Sequence, residues 1–299
     1  MKFYWPSELY SFGKYYRKYG RYPRFLPLLF YSDHSGPCFD CPIDNHEIYN
    51  DANLFFTFSE KRKVEFQKLT NKKAYLVMSP QIFYRRKYNI KKKENAVGTI
   101  AFPDHVLPKQ DYSYNIDTYC KQLLNLPTKF HPITVCLHMH DINVGTDLIY
   151  KKYGFEVVSA GNTSHKDFIK NLYHILKNKN YVTSNMVGTI SLLAIEMNHN
   201  FFVYPQIELN LEDSYPFIKY RKNNYLYNYI KTRTLDRVDE EIELNMYHEI
   251  EKAFGIGIGI SRNKFTWLIW KQFFIELFTL EFFVKLRKKV ISTYKNNFS

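Results

Sequence analysis

Short apolar runs alternate with polar turns and amphipathic stretches along this chain, and their spacing predicts a strand–helix alternation. Residues 27–31, 53–58 and 74–78 read as buried strands, with a basic helix from Ser59-Glu60 to about residue 69 between the second and third. Residues 96–102 form another apolar run, followed by a helix over 117–126 that Pro127 closes. Between 131 and 205 the alternation is most regular. Strands are predicted over 133–141, 155–160, 181–184 and 201–204, with helices over 145–153, 166–178 and 189–198. Ser164 with Asp167 has the spacing of a capping box for the middle helix. Strands separated by helices imply parallel sheets covered by helices, hence the α/β class.

The ends of the chain depart from this period. Residues 1–24 are aromatic and basic and predict a helix that turns at Gly20. After Pro205 the pattern becomes polar and helical, clearest over 235–254, and the glycine–isoleucine alternation from Gly255 to Ile260 reads as a flexible turn. Residues 264–291 form a helical pattern that is apolar nearly all round, yet Lys271, Glu276, Glu281 and Lys285 interrupt it. Charges at that spacing do not suit a transmembrane span. Two readings stay open: burial within the protein, or an interfacial helix whose basic end Lys285-Leu286-Arg287-Lys288-Lys289 meets anionic head groups.

Composition adds three constraints. A hydrophobic fraction of 45% and an aromatic fraction of 18% exclude a disordered chain. The net charge of +13 favours an anionic partner: a nucleic acid, an anionic membrane face or a phosphorylated substrate. Cys38, Cys41, Cys120 and Cys136 are too few for a disulfide framework at this length, and the N-terminal residues lack an apolar signal core, so a cytoplasmic location is expected. Cys38 and Cys41 lie between His34 and His46 but lack paired-knuckle zinc spacing, and no metal is expected.

The candidate chemistry collects at strand ends. Asp33 and His34 follow the first strand, where a carboxylate can take a proton from a sugar hydroxyl and an imidazole can assist it. Asp104 and His105 form a second such pair. His138, His140 and Asp141 fall at the end of the 133–141 run, where alternation puts both imidazoles on one face. Such a cluster can bind a divalent metal, or hold a phosphate or ribose without one. The loop Thr183-Ser184-Asn185-Met186-Val187-Gly188-Thr189 carries hydroxyls, an amide and a glycine, and opens a helix whose N-terminal N–H groups attract an anion.

These residues, with the His131-Pro132 dipeptide, resemble two-lobed GT-B glycosyltransferases over about residues 25–205. The resemblance is to bacterial enzymes of capsule and lipopolysaccharide assembly, sialyltransferase-like or Kdo-transferase-like. It implies a general base at Asp33, a phosphate-assisting histidine at His131 and a phosphate-binding helix start at Thr183 and Ser184. Here the acidic position reads Asp33-His34-Ser35-Gly36, and His131 precedes its strand, which leaves His105 and His138 as alternatives.

The resulting expectation is two Rossmann-like lobes, GT-B-like, with a helical C-terminal extension: residues 1–92 on the acceptor side, 93–205 on the nucleotide-sugar side and 206–299 packing across the lobes or on a membrane. The expected activity is transfer of a sugar from a nucleotide-sugar donor, CMP-linked on the resemblance, to a cell-surface glycan or glycolipid. Asp33, His34 and His105 are the expected catalytic residues; His131, His138, His140, Asp141, Thr183, Ser184, Asn185, Gly188 and Thr189 are the expected donor-binding ones. No cofactor beyond the co-substrate is expected, and the expected partners are donor, acceptor and an anionic membrane surface at the inner face of the inner membrane. The rivals are a nucleic-acid-binding protein, supported by charge but opposed by the scatter of the bases, and a non-catalytic scaffold of the same fold.

Overall fold

A computed structural model describes residues 5–33, 39, 41–104, 114–205, 221–277, 283, 284, 286, 287 and 291. The chain divides into two compact units, each an α/β unit with a parallel sheet. The first takes in residues 1–38, 42–84 and 252–299; the second takes in 39–41 and 85–251. The stretch from 206 onward, expected as one extension, is therefore shared between them: 206–251 belongs to the second unit and 252 onward to the first.

The first unit holds a three-stranded sheet in the order β1 (Tyr31–Ser32), β2 (Leu54–Thr57), β3 (Lys73–Leu76), with both pairings parallel. Leu54, Phe55, Phe56 and Thr57 are all buried, as a strand covered on both faces requires. Helix α2 (Asn45–Ile48) lies between β1 and β2 in sequence, and α3 (Glu60–Thr70) between β2 and β3. Ser59 accepts the Arg62 N–H and so starts α3, as Ser59-Glu60 predicts. Helix α1 (Phe12–Tyr19) buries Phe12, Tyr15 and Tyr16, and its chain turns at Gly20. There a Cβ would lie 2.3 Å from the Ile269 Cδ1, so a larger residue would have to displace that side chain. The glycine–isoleucine segment is fastened rather than loose. Ser79 N–H donates to Phe254 O, Ile260 N–H donates to Leu76 O, and Gly255, at φ +73°, would place a Cβ 2.0 Å from Val77 O.

The second unit holds five parallel strands, β4 (Thr99–Phe102), β5 (Ile133–Cys136), β6 (Glu156–Val158), β7 (Tyr181–Ser184) and β8 (Asn200–Val203), in the order β6-β5-β4-β7-β8. Counted within the unit this is 3-2-1-4-5, the doubly wound order, whose topological switch lies between β4 and β7. The intervening helices are α5 (Ile116–Leu124), α6 (Met139–Asn143), α7 (Thr146–Lys152), α8 (Phe168–Leu176) and α9 (Thr189–Glu196). Ala101, Val135, Phe130 and Phe202 join Tyr119, Leu123 and Tyr150 in one core. Further helices are α4 (Pro80–Lys87), α10 (Tyr225–Lys231), α11 (Leu244–Ala253) and α12 (Arg262–Glu276). The basic run that opens at Arg85 begins within α4, where Arg85 pairs with the buried Glu196 and Arg86 with Glu251 at 2.7 Å.

Two local expectations are corrected. The strand predicted over 133–141 ends at Cys136; His138 instead caps α6, its Nδ1 accepting the His140 N–H at 3.2 Å. An acid in the first turn, Asp141, favours the helix. The predicted Ser164–Asp167 capping box is not formed, because Ser164 N–H and hydroxyl both turn to Asn162 Oδ1 at 3.0 Å and α8 begins only at Phe168.

Candidate functional site

In a doubly wound sheet, ligands bind beyond the carboxyl ends of the strands at the switch point. In the second unit β4 and β7 pair through Phe102 and Ser184, so the chain leaves both strands side by side, through Pro103-Asp104 and through Asn185. Asn185 is 4% exposed, and its side-chain oxygen accepts the Asp104 N–H at 2.7 Å. Tyr114 hydroxyl donates to the Asp104 carbonyl at 3.2 Å and lies 3.2 Å from the Tyr150 hydroxyl. The backbone of Asp104 is thus held on both sides, at the switch point. Ser184 Oγ accepts the Met186 N–H at 3.3 Å and shapes the turn that follows Asn185.

That turn leads into α9. Gly188 sits ahead of the helix; its N–H donates to Ser191 Oγ at 3.1 Å, and the Ser191 hydroxyl donates to the Gly188 carbonyl at 2.5 Å. A Cβ on Gly188 would meet nothing within 4 Å, so this corner is open. Residues 191–196 of α9 are buried. The helix therefore offers only its N-terminal end, the positive end of its dipole, at the carboxyl edge of the sheet.

The expected donor-binding residues separate by where they stand. Asn185, Gly188 and Thr189 belong to this corner, and Ser184 supports it. Thr183 does not: it is 0% exposed, and its hydroxyl donates to Phe202 O at 2.9 Å, tying β7 to β8. His138, His140 and Asp141 follow β5, the strand next to β4, so they share the carboxyl edge, but on α6 rather than on a strand face. His131 stands at the opposite edge. It precedes β5, and its Nε2 lies 2.9 Å from Leu126 O, next to a cis peptide bond to Pro132. A four-residue strand at about 3.3 Å per residue separates it from the switch-point corner.

In the first unit, Asp33 follows β1 and is 2% exposed. Its Oδ2 accepts the Thr57 hydroxyl at 2.5 Å and the Phe58 N–H at 3.2 Å, while Oδ1 receives Arg62 Nη2 at 3.1 Å. The same guanidinium holds Glu47 Oε1 at 2.5 Å and Pro42 O at 2.8 Å. Burial pushes the Glu47 carboxyl up, with Arg62 opposing. The expected general base is therefore a buried clamp whose two oxygens are both engaged. His34 and His105 lie outside the described residues, as does Cys38. Cys41, Cys120 and Cys136 are buried, and burial pushes the thiols of Cys120 and Cys136 up to about 12. Among the described residues, no group of three or more His, Cys, Asp or Glu is placed to hold a metal ion.

Asp104, paired with His105 in the sequence but not counted among the expected site residues, stands at the switch point. Its signal was a strand running into Pro-Asp-His, and only the pairing of β4 with β7 gives that signal its meaning.

No protein-family model matches the chain, and no curated protein matches it. Among solved structures it is similar to the wall teichoic acid polymerase TagF, with a TM-score of 0.39 and 13% identity over 76% of this chain and 59% of that one. A TagF variant soaked with CDPG gives the same TM-score, at 9% identity over 76% of this chain and 57% of the other. The chain thus spans less than two thirds of the length of these structures, and the assignment of site residues rests on the geometry of the second unit.

Proposed function

We propose that the chain is a glycosyltransferase whose second unit binds a nucleotide-sugar donor at the β4–β7 switch point. The observation that carries the reading is the bond from Asp104 N–H to Asn185, which joins the two strand exits of a 3-2-1-4-5 sheet beside the N-terminal end of α9. A diphosphate or phosphodiester at that end gains the helix dipole and backbone donors, and the open corner at Gly188 leaves room for its oxygens. Asp104 supplies a carboxylate to receive ribose or sugar hydroxyls, and the hydroxyls, amide and imidazoles of the carboxyl edge complete a polar rim. The net charge of +13 attracts such an anion from a distance. The donor is taken to be CMP-linked and the acceptor a cell-surface glycan or glycolipid.

The test is a thermal-shift series with CMP, CDP, UDP and GDP, followed by the corresponding nucleotide sugars. At a ligand concentration of about 100 Kd, stabilisation of about 2.7 kcal/mol raises the Tm by about 5 °C. A shift with one base that extends to its sugar conjugate, together with release of the free nucleotide in the presence of glycan acceptors, is the expected result. The absence of a shift with all four nucleotides, alongside salt-sensitive binding of nucleic acid, overturns the reading.

A further inference from the structure

The last described helix, α12, has two faces of opposite character. Phe265, Leu268, Ile269, Gln272 and Glu276 are buried. Phe265 stacks on Tyr16 at 5.8 Å and meets Phe30 and Phe56 at 6.0 and 4.7 Å, so this face is part of the first unit's core. The other face carries Lys264, Trp267, Lys271, Phe274 and Ile275, which recur at three, four, three and one residues and so form one stripe. Trp267, Phe274 and Ile275 are 51%, 59% and 57% exposed. The ammonium groups of Lys264 and Lys271 lie 4.7 and 4.8 Å from the Trp267 ring centre, one on either side of it in sequence.

The charge on this helix is sorted by face. Its one acid, Glu276, is turned inward, where Gln272 Nε2 donates to it at 2.7 Å. Both of its lysines face outward. The sequence continues the bias: residues 262–299 hold eight Lys or Arg and two Glu.

We propose that this outward stripe is a docking surface for an anionic lipid bilayer. A protein partner with a matching apolar patch would bury the two lysines against carbon, at a cost in desolvation. A bilayer interface takes the indole and phenyl rings at head-group depth and leaves the ammonium groups among lipid phosphates. The tryptophan between two lysines has that amphipathic layout, and the absence of an outward acid on the described helix removes the repulsion an anionic surface would otherwise meet. No helix among the described residues is long and apolar enough to cross a membrane, so the contact lies in the interfacial plane. The inference stands apart from the activity proposed for the second unit.

The test is co-sedimentation of the full chain with vesicles of phosphatidylcholine alone or with about 30% phosphatidylglycerol, at roughly 0.15 M salt. Binding to the anionic vesicles and little to the neutral ones is expected. Trp267→Ser with Phe274→Ser should lower partitioning about tenfold or more. Lys264→Gln with Lys271→Gln should weaken it and flatten its salt dependence. Trp267→Phe keeps the fold and the apolar contact, and should remove most of the fluorescence quenching by brominated lipid. Equal binding to neutral vesicles, no binding to anionic ones, or quenching that survives Trp267→Phe would overturn the proposal. So would a change from dimer to monomer in the Ser variants, which would assign the stripe to a second copy of the chain.

Discussion

Asn185 offers the sharpest separation of scaffold from site, because its side-chain oxygen does a structural task while its neighbourhood is proposed to hold an anion. In Asn185→Ala the Asp104 N–H loses its 2.7 Å acceptor. Asp104 is only partly buried, so water can reach that donor, and the loss falls at about 1–2 kcal/mol. In Asn185→Asp the oxygen remains and the bond becomes charge-assisted, which offsets part of the cost of charging a side chain that is 4% exposed, so a loss of about 2 kcal/mol is expected. The new carboxylate, however, faces any phosphate at the α9 end. At a separation of about 6 Å and an effective dielectric constant near 20, two unit charges repel by about 3 kcal/mol, or roughly a hundredfold in Kd. Urea unfolding and nucleotide titration by calorimetry read the two quantities independently. The expected pattern is two variants of similarly reduced stability, of which the Asp variant alone has lost the nucleotide. An Asp variant with the parent's nucleotide affinity would refute the placement of the phosphate.

Three further outcomes follow from the same contacts. Asp33→Asn should lower the unfolding free energy by about 2 kcal/mol by breaking one arm of a buried ion cluster, with Arg62 still held by Glu47; an unchanged urea midpoint would count against the clamp. Thr183→Val should cost about 1 kcal/mol and leave nucleotide Kd untouched, since its hydroxyl serves Phe202 O; a large loss of affinity at unchanged stability would return Thr183 to the site. Burial, with nearby Lys92 adding to it, holds the His199 imidazole down to about 4, below its ordinary 6.5. The unfolded chain therefore takes up this proton first, so the contribution is complete above pH 6.5 and is lost as pH falls towards 4, by about 2 kcal/mol at pH 5. Burial raises Glu47 and Glu196, which pulls the other way. The difference between the parent and His199→Asn isolates the histidine, and equal slopes between pH 7.5 and 5 would exclude it.

The central strands were legible because they are short apolar runs buried on both faces, as Phe55-Phe56 and the 133–136 run show. Where pattern failed, the deciding contact came from far along the chain. Asp33 reads like a catalytic acid at a strand tip until Arg62 and Glu47 close around it, and neither partner is visible from the turn itself. His138 and His140 fit a period of two, but two positions do not distinguish a strand from a helix start, and a capping imidazole took the second option. Thr183 sits at a strand end as expected, yet the direction of its hydroxyl depends on β8, nineteen residues away. The apolar tail posed a choice between burial and an interface; sorting its side chains by face shows that burial accounts for only one side of α12.

The first unit is assembled from early and late stretches that the ribosome delivers far apart. Residues 5–84 emerge early, but Phe265, which fills the space among Tyr16, Phe30 and Phe56, arrives only after the whole 85–251 segment has been made. The second unit, drawn from 85–251 apart from residues 39–41, can close on itself during synthesis, whereas the first must wait with its aromatic side uncovered. A nascent chain halted near residue 251 would therefore pair a finished fold with a half-built one, and would be the form most in need of a chaperone.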